Sequence, residues 1–338
     1  MFSLIKGAHS DSPSANISRL RGLRLRLKKR PSACPLDDLP VIPAPLPCNL
    51  IWASALSEII KVVRNLRDLR KAASKWRQRG QTIALVPTMG ALHAGHLTLV
   101  KLARKKADKV VVSIFVNPTQ FGPAEDLSRY PRDEAGDLIK LADADANLVW
   151  VPTVEEMYPE GFSAGVRAGS AAKDLDGAFR PNHFDGVATV CTKLFNQVTP
   201  DIAIFGEKDY QQLAVLRQVV GDLNIPVKLI GGATKRDIDG LALSSRNAYL
   251  SDAERKIAPA LYAVISSLAE DVANGEDVPT GISNAKRKLI AAGFARIDYI
   301  EVRDAETLAV PPAADGRALR VLAAVWLGKT RLIDNVAV

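Results

Sequence analysis

Between residues 82 and 230, short β-branched runs of strand length alternate with longer segments of helical periodicity, and no other feature of the chain constrains its fold as much. Thr82–Val86, Lys109–Val116, Asn147–Val151, 201–205 and Val227–Ile230 read as strands. KVVVSIFV (109–116) lacks in/out alternation, as a strand buried on both faces does. Segments 97–107, 134–143, 185–198 and 208–222 read as helices, and a further helix is expected from Leu56 to Trp76, where Leu56, Ile59, Ile60, Val63, Leu66 and Leu69 recur at helical spacing before Gly80. Strands and helices in this alternation build an α/β fold with a doubly wound parallel sheet. After about residue 235 the pattern changes. Helical segments 252–273 and 280–292 are followed by strand-like runs at 296–303, 319–327 and 330–336, which predicts a smaller C-terminal α+β domain with antiparallel strands. The expected division is 51–234 and 235–338.

Residues 1–50 fit neither domain. They hold eight Lys/Arg against three acidic residues, which places +5 of the net charge of +8 in this stretch and leaves +3 for the rest. With its Ser/Arg clusters and the Pro-rich VIPAPLPC, the stretch reads as a disordered basic leader. It has no apolar core of a secretory signal. The most apolar stretch of the chain, Val110–Val116, is too short to span a bilayer. Cys34, Cys48 and Cys191 show no metal-type spacing and fit a reducing compartment.

Three motifs follow strands, where an open α/β sheet binds its ligands. VPTMGALHAGH (86–96) carries Gly90 and Gly95, which allow close backbone approach, and His93 and His96, three apart at a helix start. Two imidazoles on one face there can donate hydrogen bonds to phosphate oxygens. A zinc site would need a third ligand nearby, and no G-K-[ST] follows to make a Walker loop. VNPTQF (116–121) presents Asn117 and Gln120 as neutral polar groups for substrate. FGEKDYQQL (205–213) offers Gly206 for backbone approach, Lys208 for phosphate, Asp209 for a ribose hydroxyl or Mg²⁺, and Gln212 one turn further on. Beyond the domain change, DGLALSSRN (239–247) is a loop whose Ser244, Ser245 and Arg246 can fold over phosphates. In RPNHFDGVATVCTKLFNQV (180–198), Cys191 falls on the apolar helix face and reads as core. His183 and Asp185 either line the site or cap the helix.

PTMGALHAGH, FVNPTQF, RYPRD (129–133), HFDGVATV, FGEKDYQQL and LALSSRN, in this order, resemble the pantoate–β-alanine ligase (pantothenate synthetase) family from about residue 52 onward. The resemblance implies a Rossmann-like domain of the nucleotidylyltransferase type and a two-step reaction. Pantoate and ATP·Mg²⁺ would give pantoyl-adenylate and pyrophosphate, and β-alanine would then take the acyl group, releasing AMP. By position, Met89, Gly90, Ala91, Leu92, His93, Ala94, Gly95 and His96 would belong to the ATP site, with His96 as proton donor. Gly206, Glu207, Lys208 and Asp209, together with Lys235, Leu243, Ser244, Ser245 and Arg246, would complete it, with Asp209 as metal contact. His93, His96, Lys208, Ser244, Ser245 and Arg246 would carry the catalysis. Gln120 and Gln212 would hold pantoate, helped by Asn117 and Tyr130. Leu243 stands where some members have Met, and Lys235 where members often have a small apolar residue. The family also implies a cytoplasmic homodimer of the coenzyme A pathway, with no nucleic-acid or membrane partner. The alternative is another small-molecule adenylyltransferase of the same superfamily, which would not need the paired glutamines.

Overall fold

The computed structural model describes residues 60–123, 125–311 and 316–338. The leader 1–50, Cys34, Cys48 and the expected helix start at Leu56 lie outside them.

Six strands form one parallel sheet in the order β1-β4-β3-β2-β5-β6: β1 Val62–Val63, β2 Ile83–Thr88, β3 Lys109–Ile114, β4 Leu148–Trp150, β5 Ile202–Gly206 and β6 Lys228–Gly232. Successive side chains of the central strands go to opposite faces, as a strand's period of two requires. Leu85 of β2 and Val111 of β3 pack with helices α1 (Leu66–Arg77) and α6 (His183–Val198) on one side. Ala84, Val86, Val110 and Val112 pack with α2 (Ala94–Arg104) and α3 (Glu134–Asp143) on the other. Both faces are therefore covered, which is why these strands read as continuous apolar runs. The short helices α4 (Val154–Met157) and α5 (Asp176–Phe179) lie between β4 and α6. The strand order runs outward from β2 in both directions, so the carboxyl ends of β2 and β5 flank the switch point where such sheets open a ligand crevice.

After α7 (Tyr210–Asp222) and β6, the chain builds α8 (Asp252–Ile257), α9 (Ala260–Ala273) and α10 (Val278–Ala292). A three-stranded antiparallel sheet follows, ordered β7 (Arg296–Asp304), β8 (Leu319–Leu327), β9 (Thr330–Ala337). Its one face packs on α9 and α10 through Ile300, Val302, Val321 and Ala323. The other meets Leu175, Tyr210 and Ala214 of the parallel-sheet half through Tyr299, Leu322 and Ala324.

Three expectations need correction. The helix expected from Leu56 begins at Leu66, where the Asn65 side chain accepts the Asp68 N–H at 2.9 Å, and the β-branched Val62–Val63 pair instead forms an edge strand on β4. A helix face and a two-residue edge strand followed by a helix give the same apolar spacing over so short a stretch. The helix expected over 252–273 is broken at Pro259, which has no N–H to donate and clashes with the preceding turn. Residues 207–209 form a 3₁₀ turn before α7 rather than its first turn.

Candidate active site

A cavity of about 620 Å³ opens at the carboxyl ends of β2, β3 and β5. The loop after β2 is shaped by backbone geometry that its sequence supplies. Gly90 has φ +80°, and a Cβ there would stand 3.1 Å from Asp137 Oδ2 and from Ile114. The buried Asp137 carboxylate accepts the Leu92 N–H at 2.7 Å, and Lys140 Nζ donates to the Leu92 carbonyl at 2.9 Å. Burial holds the Asp137 carboxyl above the usual carboxylate range.

The two histidines complete a cap on α2. His93 Nδ1 accepts the Gly95 N–H at 3.2 Å, and His96 Nδ1 accepts the His93 N–H at 3.3 Å. The rings lie 4.1 Å apart. With Nδ1 accepting in both, each neutral ring carries its proton on Nε2. Burial, then the nearby Lys208 ammonium, pushes His93 down to about 4. Burial, then the His93 ring, pushes His96 down to about 3. At neutral pH the pair is a set of fixed N–H donors beside a helix N-terminus, the arrangement that favours anions.

Beyond β3, Gln120 is buried in a 3₁₀ turn, Pro118–Gln120, capped by Asn117. Asn117 Oδ1 accepts from Thr119 and from Tyr158 OH (2.8 Å), while Nδ2 donates to Gln120 Oε1 (3.1 Å) and the Gly186 carbonyl (3.2 Å). Asn117 thus positions Gln120 rather than presenting a free amide to a ligand. His183 Nδ1 lies 2.8 Å from the Gln120 carbonyl, and its Nε2 faces Arg180 at 2.9 Å. Because guanidinium only donates, His183 is the neutral Nδ1–H tautomer. Burial, reinforced by Arg180, pushes it down to about 4. Gly186 lets α6 approach this turn, since a Cβ would meet the Thr119 carbonyl oxygen at 2.4 Å. Neither His183 nor Asp185 caps α6 with its side chain, and Asp185 instead accepts the Ala168 N–H at 2.8 Å. Cys191 is core, and burial lifts its thiol to about 12.

After β5, Lys208 Nζ lies 3.9 Å from the half-exposed Asp209 carboxylate. Gln212 lines the cavity, and its side chain has no hydrogen-bond partner among the described residues. The 239–247 loop lies across the cavity. Ser245 Oγ donates to the Ala91 carbonyl at 3.0 Å, and Ser244 Oγ accepts the Arg246 N–H at 3.3 Å. The Arg246 guanidinium grips Asp126 through two hydrogen bonds of 2.9 and 2.8 Å and stands 5.6 Å from the Tyr130 ring. The Leu243 N–H bonds the Lys235 carbonyl at 2.9 Å.

The cavity lining includes Met89, His93, Gly95 and His96, Gly206, Lys208 and Asp209, Lys235, Leu243 to Arg246, and Asn117, Gln120, Tyr130 and Gln212. Gly90, Ala91, Leu92, Ala94 and Glu207 shape the loops behind that surface and do not line it. Sequence reading missed Asp126, Asp137, Lys140 and Arg180. Each acts through a partner distant in sequence, so no local spacing announces it. Among the described residues no cluster of three His, Cys, Asp or Glu side chains is placed to hold a metal, and no helix is long and apolar enough to cross a membrane.

Comparison with known proteins adds four findings. The family model for pantoate–β-alanine ligase matches residues 61–337. The chain is 54% identical over 278 residues to the pantothenate synthetase of Mesorhizobium japonicum, covering 82% of this chain and 98% of that protein. The crystal structure of pantothenate synthetase from Thermus thermophilus is 45% identical and superposes with a TM-score of 0.77 over 82% of this chain and 99% of that one. A Francisella tularensis pantoate–β-alanine ligase, described as complexed with β,γ-ATP and β-alanine, is 33% identical with a TM-score of 0.69, over 82% of this chain and 97% of that one.

Proposed function

The chain belongs to the pantoate–β-alanine ligase family and is an ATP-dependent ligase joining pantoate to β-alanine; we propose that it does so through a pantoyl-adenylate formed in the cavity just described. The observation that carries this reading is the meeting of two neutral histidines, Lys208 and the Arg246 loop around one crevice, with Gln120 and Gln212 on the same lining.

Gln120 and Gln212 hold pantoate, with Tyr130 beside them, while Asn117 and His183 fix the turn that carries Gln120. A pantoate carboxylate oxygen attacks the α-phosphorus of ATP, and the bond to the bridging oxygen breaks as pyrophosphate leaves. His93 and His96 donate Nε2–H hydrogen bonds to the charge that grows on the phosphate oxygens, and Lys208 and Arg246 neutralise the departing pyrophosphate. The neutral amine of β-alanine then attacks the acyl carbon. AMP leaves, and the amine nitrogen gives up a proton as the amide forms.

Asp209, half-exposed on the cavity lining, would be the carboxylate that contacts an ATP-bound Mg²⁺. The donor set fits that ion because Mg²⁺ in nucleotide sites is held mainly by phosphate and water, with one or two carboxylates. When bound, the ion supplies charge neutralisation at the phosphates. We place the domain boundary at 234/235, with 235–338 acting as a lid through the 239–247 loop, and we assign the chain to the cytoplasm as a homodimer.

The test is pantoate-dependent ATP–pyrophosphate exchange, followed by addition of β-alanine and assay of AMP and pantothenate. Exchange without β-alanine and amide formation with it are expected. Folded, ATP-binding protein that shows no exchange with pantoate would overturn the adenylate route.

A further inference from the structure

The burial of β9 alternates from Thr330 to Ile333, as an amphipathic strand should, and then two polar residues in succession, Asp334 and Asn335, are buried at 4% and 3% exposure. Their side chains are spent on two separate elements of the site. Asn335 Nδ2 donates to the Glu207 carbonyl at 3.0 Å and to the Lys208 carbonyl at 2.8 Å, and its Oδ1 accepts Arg320 Nε at 2.7 Å. It therefore fixes the 3₁₀ turn from which the Lys208 side chain enters the cavity. Asp334 takes the Arg236 guanidinium in a two-point pair at 2.5 and 2.9 Å.

Arg236 passes this constraint on to the closing loop. It donates to the Gly240 carbonyl at 3.1 Å, stacks 3.7 Å above the Tyr262 ring and forms an antiparallel bridge with Ala242. Gly240, at φ +92°, has no room for a Cβ, which would meet Tyr262 at 2.6 Å. The base of the loop that ends in Ser244, Ser245 and Arg246 is thus clamped to β9 on one side and to α9 on the other. β9 is itself held rigidly by β8, where Asn335 pairs with Leu322 and Asp334 with Ala323.

We infer that Asp334 and Asn335 are positioning residues that set the separation between the Lys208 turn and the Ser244–Arg246 loop, the two cationic elements facing the nucleotide phosphates. The inference rests on the adenylation reading above. A misplacement of about 1 Å in such elements is enough to cost on the order of a hundredfold in rate.

The test is a double-mutant cycle read by pantoate-dependent ATP–pyrophosphate exchange, with thermal unfolding as control. Asn335→Asp keeps the shape but replaces the amide donor with an oxygen facing two carbonyls. It should slow exchange about tenfold to a hundredfold in the wild-type background and less than about threefold in a Lys208→Ala background, because the group it positions is gone. A purely structural Asn335 would give the same loss in both backgrounds, and that result, or full activity in Asn335→Asp, overturns the inference. Should Asn335→Asp fail to fold, Asp334→Asn combined with Arg246→Ala poses the same question from the loop side. Absence of exchange in the unmodified chain overturns the adenylation reading and this one with it, whereas exchange with equal losses overturns the positioning alone.

Discussion

The two nitrogens of His96 have separable duties, and two substitutions isolate them. Nδ1 accepts the His93 N–H and closes the cap on α2, while Nε2 carries the proton of a ring that lines the cavity. Asparagine places an amide near the position of Nδ1, and glutamine places one near Nε2. His96→Asn therefore retains the cap and loses the cavity donor. Loss of one preorganised donor costs about 10²–10³ in rate, or about 2.7–4 kcal/mol, so exchange should fall by at least about a hundredfold while Tm stays put. His96→Gln retains a donor toward the cavity and loses the cap. A cap contributes about 1 kcal/mol, which lowers Tm by about 2–4 °C in a domain of this size, and exchange should survive to within about tenfold. A ring pushed down to about 3 holds no imidazolium proton to transfer at neutral pH. If His96 nevertheless worked as a proton donor, the glutamine variant would be as slow as the asparagine variant. That outcome, or wild-type exchange in His96→Asn, refutes the reasoning.

Gly186→Ala should push the Pro118–Gln120 turn away from α6, because the new Cβ would meet backbone at 2.4 Å. We expect a loss of about 1–3 kcal/mol by urea unfolding and a pantoate KM raised at least about tenfold with the ATP KM little changed, and an unchanged pantoate KM would refute it. Folding stability should fall as pH drops from about 6.5 toward 4. His93, His96 and His183 all have folded values below their unfolded one, so the unfolded chain takes up protons first and the stability present above 6.5 is lost on the way down. Each histidine contributes up to about 1.4 kcal/mol per pH unit in that window, and urea midpoints that match at pH 7.5 and 5.5 would contradict it. Deletion of residues 1–50 should leave exchange intact, and RNA binding that disappears together with activity would show that the leader belongs to the function.

The doubly wound sheet was legible because each central strand is buried on both faces and so writes an unbroken apolar run, as Val110 to Val112 does. The histidine loop and the Lys208 turn were legible because glycines and charges at strand ends have few other uses, whereas the Arg246 loop lies beyond the strands of the parallel sheet and only the family resemblance singled it out. Edge strand β1 was not, because two residues cannot establish a period and Val63 also fits a helix face. Asp137, Arg180, Asp334 and Asn335 were not legible either. Their chemistry lies in which distant carbonyl, N–H or ion they meet, and spacing along the chain carries no record of that. The same holds for Asn117, whose residue type suggested a substrate contact while its four partners make it the frame for Gln120.

Burial keeps the two histidines neutral, and the charge arrangement of the cavity works in the same direction. Three of the cations on its lining already face a carboxylate: Arg246 meets Asp126 at 2.8 Å, Arg180 meets Glu125 at 2.6 Å, and Lys208 lies 3.9 Å from Asp209. A cation in a half-dry crevice needs such a partner, since leaving it uncompensated is costly. Asp126, to which Tyr249 also donates at 3.2 Å, takes Nε and Nη2 of Arg246, which leaves the N–H groups of Nη1 for a nucleotide phosphate. A phosphate that took Nε and Nη2 as well would compete with Asp126, by as much as the guanidinium prefers one anion over the other. Two imidazolium ions 4.1 Å apart beside Lys208 would repel each other, and Asp209, the carboxylate that favours charge on His93, already faces Lys208. Neutral rings escape that conflict. They offer N–H groups to a phosphate without needing a counterion when it is absent, and so they can stay fixed on the helix cap while the charged groups around them change partners.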